Sequence, residues 1–165
     1  MKKKPLGSVA LVGAGPGDPE LLTIRAVELL RSADVVVLDE QACGSWISRY
    51  VEPDTDLVDA GQGQGGEPLA HAARAKLLVD GARQGKRVVR LYAGDPALDG
   101  SLVEDAAACA KARVPFEIVP GVPSLTAVPE YAGVPLTSRA VHDVSRLKSA
   151  VASSPNACCA RAARC

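Results

Sequence analysis

The sequence predicts an α/β domain built on a mainly parallel sheet flanked by helices, and three observations support this fold class. Short apolar runs typical of buried strands alternate with stretches of helical periodicity over most of the chain. Several of these runs lead directly into turns rich in glycine, proline and aspartate. The length of 165 residues suits one ordinary domain with its own core. Strands that alternate with helices along a chain are typical of parallel sheets.

The first half of the chain begins with a short apolar run at residues 9–12, which predicts a buried strand. A turn, Gly13-Ala14-Gly15-Pro16-Gly17-Asp18, follows it. Leucine and alanine at helical spacing then predict a helix over residues 19–32. The valine-rich run at residues 35–38 predicts a second strand, and residues 55–60 predict a third.

The second half repeats the alternation of elements. An alanine-rich stretch predicts a helix over residues 69–84, which Gly85 ends. Further elements are predicted as a strand at 87–92, a helix at 102–112, a strand at 116–119 and a short helix after 124. Turns at Ala93-Gly94-Asp95-Pro96 and at Pro120-Gly121-Val122-Pro123-Ser124 follow the two strands. Parallel sheets bind ligands at the carboxyl ends of their strands, so we expect a site where these turns meet.

Beyond Arg139 the alternation of strands and helices ends. Residues 148–165 consist largely of alanine, serine, arginine and cysteine, with no strand or helix period. We therefore expect a domain at residues 1–139, and a tail at 140–165 that is disordered and either truncated or non-native.

Composition favours a small-molecule ligand. Lys+Arg and Asp+Glu are both 19 and aromatic residues make up 3%, which disfavours binding to nucleic acid or to an anionic membrane. No apolar run is long enough for a signal peptide or a membrane span. Cys43 and Cys109 stand alone while the other three cysteines crowd the last eight residues, and this pattern leads us to expect the reducing cytoplasm. The sequence is also compatible with a homodimer.

Three polar features of the sequence could carry chemistry, and each has a simpler interpretation. The turn of residues 13–18 could direct backbone N–H groups at an anion, or be a tight turn with Asp18 as a helix cap. Asp39, at a predicted strand end, could be a general base or an exposed loop acid. Asp95 could accept a hydrogen bond from a ribose or amine, or form an Asx turn. His71 and His142 lack partners at metal-ligand spacing, so no metal site is expected.

Five ordered blocks of the sequence resemble the tetrapyrrole (corrin/porphyrin) methylases, over about residues 9–139. The blocks are VALVGAGPGDP followed by LLT, ADVVVLD, GKRVVRL leading to AGDP, VPGV, and YAGVPLT. The likeness corresponds to the first of the two α/β domains of that family. It implies that the second domain is missing from these 165 residues.

The resemblance implies methyl transfer from S-adenosylmethionine to carbons of a uroporphyrinogen macrocycle, in the sirohaem and cobalamin branch of tetrapyrrole biosynthesis. By position, Asp39 corresponds to the family's proposed proton acceptor. The positions that correspond to cofactor contacts are Pro16, Ala93, Gly94, Asp95, Leu98, Pro123 and Ser124. The implied partner is a small-molecule tetrapyrrole.

Some positions depart from the family pattern. Ala93 replaces the first glycine of Gly-Gly-Asp-Pro, and Gln62 and Gly63 replace a lysine, proposed as a proton donor, and an arginine. A substrate with many carboxylates would call on such cations. The departures favour an alternative, a catalytically silent ligand- or partner-binding domain from a chain fused to uroporphyrinogen-III synthase. A flavodoxin-like nucleotide binder is a further alternative, but the Pro16 loop offers no clear phosphate site.

Overall fold

The computed structural model of the chain describes residues 5–38, 45–61 and 69–137. Its strands are β1 (Ser8–Gly13), β2 (Val35–Leu38), β3 (Asp56–Asp59), β4 (Arg87–Tyr92) and β5 (Phe116–Val119). Its α-helices are α1 (Ile24–Arg31), α2 (His71–Arg83), α3 (Leu102–Ala112) and α4 (Ser124–Tyr131). Short 3-10 helices lie at Pro19–Leu21, Ser45–Arg49 and Pro96–Leu98.

The strands form one sheet in the order β3-β2-β4-β1-β5, and every pairing is parallel. This confirms the predicted fold class. The neighbouring strands β1 and β4, both inside the sheet, are the longest and are buried over nearly their whole length. Because all strands point the same way, the loops that follow them meet at one edge of the sheet, as expected for a ligand site.

Each face of the sheet carries its own apolar cluster. Val9 and Leu11 of β1 pack with Leu78 of α2 and Cys109 of α3 on one face. Ala10 and Val12, the alternate residues of β1, pack on the other face with Leu30 of α1 and with Trp46. This alternation along β1 follows from the two-residue period of a strand, and it gives the sheet helices on both sides.

The structure differs from the sequence prediction where the first helix begins. Residues 19–32 do not form one helix, because Leu22 adopts an extended conformation that separates the 3-10 turn at Pro19–Leu21 from α1. Asp18 caps the 3-10 turn through the Glu20 N–H, and Thr23 caps α1 through the Ala26 N–H. Two capping residues, each at the start of its own segment, therefore produce two short helices where periodicity predicted one.

The polar stretch after β2 also contains an element without a sequence prediction. The 3-10 helix at Ser45–Arg49 buries Trp46 and Ile47 against the α1 face of the sheet. Two apolar residues in so short a stretch are too few to show a period, so only their packing reveals the element.

Candidate functional site

Three loops meet at the carboxyl edge of the sheet, one after each of β1, β4 and β5. The Gly15 N–H donates to the Gly94 carbonyl at 3.1 Å, and the Gly94 N–H donates back to the Gly15 carbonyl at 2.8 Å. The third loop is tied in by Asp95, whose Oδ2 accepts the Gly121 N–H at 2.9 Å. The turns that the sequence placed after separate strands are thus joined into one structure.

Glycine is required where these loops cross, because their backbones lie in contact. A Cβ on Gly13 would lie 2.6 Å from the Gly94 carbonyl oxygen, and a Cβ on Gly121 would lie 2.2 Å from it. Gly94 itself has a φ of 70°, in the left-handed region that favours glycine. The three glycines allow a close junction that larger residues would force apart.

Asp95 holds this junction with both carboxylate oxygens. Its Oδ1 accepts the Ala97 N–H at 2.8 Å, which makes the Asx turn that caps the 3-10 helix at Pro96–Leu98. Its Oδ2 accepts the Gly121 N–H from the neighbouring loop. Of the two interpretations drawn from the sequence, the structure shows the Asx turn, while the role of Asp95 as a ligand contact stays a prediction.

A cavity of about 220 Å³ opens beside this junction. It is lined by Ala93, Gly94, Asp95, Leu98, Asp99, Pro123, Ser124 and Leu125. Six of the seven predicted cofactor contacts therefore share one surface, although they come from segments up to 31 positions apart. Pro16 is not part of the lining but follows Gly15, which is bonded to Gly94.

Two lining residues, Asp99 and Leu125, were missed by the sequence analysis. Asp99 Oδ1 accepts hydrogen bonds from the Ser101 N–H and hydroxyl at the start of α3. Leu125 lies in the first turn of α4, directly after the predicted Ser124. Both are adjacent in sequence to predicted contacts, and this adjacency is the only signal that could have found them.

A larger cavity, about 350 Å³, lies at the opposite, amino-terminal edge of the sheet and is lined mainly by charged side chains. Ion pairs cross it: Arg87 contacts Asp34 at 2.9 Å and Lys86 contacts Asp56 at 3.0 Å. Hydrogen bonds from Arg87 lower the pKa of Asp34 to about 2. These pairs join the starts of β2, β3 and β4, so this cavity is a structural feature remote from the predicted site.

Several predicted residues lie outside the described residues, namely Asp39, Gln62, Gly63, His142 and the tail from residue 140. Exposed His71 lies 3.0 Å from Glu104 Oε2, in a contact that joins α2 to α3. Within the described ranges, no three His, Cys, Asp or Glu side chains are grouped so that they could hold a metal ion. None of the helices described there is long and apolar enough to cross a membrane.

Comparison with known proteins gives consistent results. A family model described as Tetrapyrrole (Corrin/Porphyrin) Methylases matches residues 8–164. The uroporphyrinogen-III C-methyltransferase of Methanocaldococcus jannaschii is 42% identical over 135 residues, covering 82% of this chain and 55% of the relative. The chain thus spans about half the length of this curated relative.

Solved structures agree with the curated match. The uroporphyrin-III-C-methyltransferase of Thermus thermophilus superposes with a TM-score of 0.70 at 37% identity, over 81% of this chain and 55% of the other. A Thermus thermophilus uroporphyrin-III C-methyl transferase complexed with S-adenyl homocysteine superposes with a TM-score of 0.64 at 40% identity, over 81% and 51% of the two chains.

Proposed function

The chain belongs to the tetrapyrrole (corrin/porphyrin) methylases, and on this basis we propose that it forms one half of an S-adenosylmethionine-dependent C-methyltransferase. The proposed substrate is a tetrapyrrole of the uroporphyrinogen-III type, as the names of its relatives suggest. One observation carries the proposal: six of the seven residues predicted to contact the cofactor line one cavity at the carboxyl edge of the parallel sheet. Ligands of such sheets bind at this edge.

The lining of the cavity suits part of this cofactor. Ser124 offers a hydroxyl group, and the backbone at Ala93 offers polar groups to a ribose or an amino acid moiety. Leu98 and Leu125 offer apolar surface to a base or a thioether. Gly94 has no Cβ, which would lie 3.6 Å from the Ser124 backbone nitrogen, so a ligand in the cavity can approach the backbone closely at this residue. These residues would hold the cofactor.

When bound, S-adenosylmethionine supplies an electrophilic methyl group. The chain's own residues then have two tasks, to orient the reactants and to remove a proton. A wall built on hydrogen-bonded loops orients a ligand with little reorganisation. A carbon that gains a methyl group must lose a proton, and we propose Asp39 as the acceptor because it directly follows β2, which ends at the same edge.

The cavity is small for a complete site. Its volume of about 220 Å³ falls below the range of about 300–1,000 Å³ that is usual for ligand pockets. The chain also spans only 55% of the Methanocaldococcus jannaschii relative. We propose that residues 1–139 form one of two α/β domains and that a second domain covers the cofactor. A homodimer and a cytoplasmic location stay predictions from the sequence.

Binding of S-adenosylhomocysteine to the 165-residue chain tests the site. In a titration followed by amide chemical shifts, we expect weak binding, with shifts concentrated at Ala93, Gly94 and Ser124. Ala93→Leu should abolish the shifts by filling the cavity. Ala97→Leu is the matched control, since Ala97 is exposed in the same loop but does not line the cavity. Shifts that avoid these residues would contradict the proposal.

Turnover separates the enzyme from the silent alternative. The assay supplies uroporphyrinogen-III and labelled S-adenosylmethionine to the chain, alone and as a chimera with the remaining half of the Methanocaldococcus jannaschii relative. We expect little product from the chain alone, because an open wall leaves the cofactor exposed to water. Product from the chimera would support the enzyme. Tight binding without product in either form would instead support a binding domain.

A further inference from the structure

A buried polar network lies beneath the cavity wall, between β4 and α3. The Tyr92 hydroxyl donates to Asp105 Oδ2 at 2.7 Å. Arg90 Nε lies 3.7 Å from the same oxygen, and the Arg90 guanidinium carbon lies 4.9 Å from the centre of the Tyr92 ring. All three side chains are at most 1% exposed. Burying a charged group costs free energy unless it is paired or hydrogen-bonded. The side chains of this network are therefore held close to one another.

The network depends strongly on the Tyr92 hydroxyl. The other oxygen of Asp105, Oδ1, is buried and accepts no hydrogen bond from the part of the chain that the structure describes. Burial also raises the pKa of Tyr92, so its hydroxyl remains protonated and available as a donor. Removing this hydroxyl would leave a buried carboxylate without its short hydrogen bond, and such groups are expensive to leave unsatisfied.

The position of this bond in the chain relates it to the cavity. Tyr92 is the last residue of β4, and its carbonyl accepts the Ala14 N–H at 2.8 Å. Asp105 lies in the first turn of α3. The segment between β4 and α3, residues 93–101, supplies five of the eight lining residues of the cavity. The Tyr92–Asp105 bond therefore joins the two ends of that segment from below.

We propose that Tyr92 and Asp105 are positioning residues for the ligand site, because their hydrogen bond fixes the loop of residues 93–101 in its ligand-binding conformation. The inference rests on the proposed function only for the identity of the ligand. Neither residue lines the cavity, so both act through the loop. Loss of the bond frees the base of the loop, which then samples conformations that cannot bind and lowers the apparent affinity.

Hydrogen exchange of the ligand-free 165-residue chain tests this inference directly. Tyr92→Phe removes only the hydroxyl, and we expect amides in residues 93–101 to exchange about tenfold faster or more while those of β2 and β3 are unchanged. Val79→Ala is the control, because Val79 is buried in the same cluster but lies on α2. This variant should lower the melting temperature without faster exchange at 93–101. Equal exchange in both variants would overturn the proposal.

A conservative variant separates local positioning from global stability. Asp105→Asn keeps an oxygen that can accept from Tyr92 but loses the charge that faces Arg90. We expect it to lower the melting temperature more than Tyr92→Phe does and yet leave exchange at 93–101 within about twofold of the unmodified chain. Faster exchange at residues 93–101 in Asp105→Asn than in Tyr92→Phe would overturn the proposal. If Tyr92→Phe does not fold, Asp105→Ser, too short to reach the phenol, takes its place with the same expected acceleration.

Ligand affinity provides the final measurement. The dissociation constant of S-adenosylhomocysteine should rise about three- to tenfold in Tyr92→Phe and stay unchanged in Val79→Ala. If the unmodified chain binds no S-adenosylhomocysteine, the proposed function fails, while the exchange experiment still decides whether the bond fixes the loop. If the chain binds and Tyr92→Phe binds equally well, the positioning role fails and the proposed function stands.

Discussion

Asp95 accepts the backbone N–H of Gly121 at 2.9 Å, and this bond joins the loop after β4 to the loop after β5. The chain contains a second Gly-Asp-Pro turn at Gly17-Asp18-Pro19, and the two turns are built alike. Asp18 accepts the Glu20 N–H at 2.9 Å and caps a 3-10 helix, as Asp95 does through Ala97. The second oxygen of Asp18 contacts the Tyr131 hydroxyl at 3.3 Å, a group that can also accept. The two turns thus form a matched pair for mutagenesis.

Asp95→Asn should weaken the junction. Asparagine has one side-chain oxygen, so it can accept from Ala97 or from Gly121 but not from both. We expect a loss of about 1–3 kcal/mol in unfolding free energy, faster exchange of the Gly121 amide, and weaker binding of S-adenosylhomocysteine. Asp18→Asn, whose amide group can face the Tyr131 oxygen, should change each quantity much less. Equal effects in the two variants, measured by urea denaturation and exchange, would show that Asp95 acts only as a cap.

Gly121→Ala should destabilise the chain through backbone overlap. The new methyl group would lie 2.2 Å from the Gly94 carbonyl oxygen, so one loop must move. Overpacking of this kind costs about 1–3 kcal/mol, and urea denaturation should detect it. Gly100→Ala is the control, because a Cβ there meets nothing within 4 Å. A Gly121→Ala chain as stable as Gly100→Ala would mean that the loops separate easily.

Asp39→Asn tests the proposed proton acceptor. In the chimera with the Methanocaldococcus jannaschii relative, turnover of uroporphyrinogen-III should fall by about two to four orders of magnitude. Affinity for S-adenosylhomocysteine should stay nearly unchanged, since the residue is not among the predicted cofactor contacts. Single-turnover methyl transfer and a binding titration measure the two quantities. Turnover that survives the substitution would remove Asp39 from the mechanism.

The Asp34–Arg87 ion pair should make stability depend on pH. Hydrogen bonds from the Arg87 side chain and backbone lower the pKa of Asp34 from its ordinary 3.8 to about 2. A lowered folded pKa means that the stabilisation is complete above about pH 4 and is lost as the pH falls towards 2. The Asp34 and Arg87 side chains are 39% and 58% exposed, so solvent screens the pair and Asp34→Asn should cost less than about 1 kcal/mol at pH 7.

The difference between Asp34→Asn and the unmodified chain should shrink when urea denaturation is repeated near pH 2. Asp54→Asn, which removes an exposed acid at the same edge of the sheet, is the matched control for the loss of one negative charge. A difference for Asp34→Asn that is constant between the two pH values would refute the assigned role of the Arg87 hydrogen bonds.

Much of the fold could be predicted from local patterns. The apolar runs that became β1, β4 and β5 are short and bounded by glycine or proline turns, and the alternation of strands with helices implied a parallel sheet. The candidate contacts came from motif resemblance, and the structure then brought six of them to one cavity. The strand order β3-β2-β4-β1-β5 could not be predicted from these patterns. Alternation of strands and helices implies that the strands run parallel, but it does not indicate which strands pair with one another.

The sequence by itself determined which residues form turns. In each Gly-Asp-Pro segment the aspartate accepts the N–H two residues later and caps a 3-10 helix, and this local bond does not depend on where the segment lies in the fold. Only the tertiary structure decided what those turns contact. The Asp95–Gly121 bond spans 26 positions and exists because β4 and β5 flank β1 in one sheet. Arg90 lies in the apolar pattern of a central strand, and only the packing of α3 placed Asp105 against it. Local propensity acts over a few residues, whereas burial and long-range hydrogen bonds depend on how the elements pack.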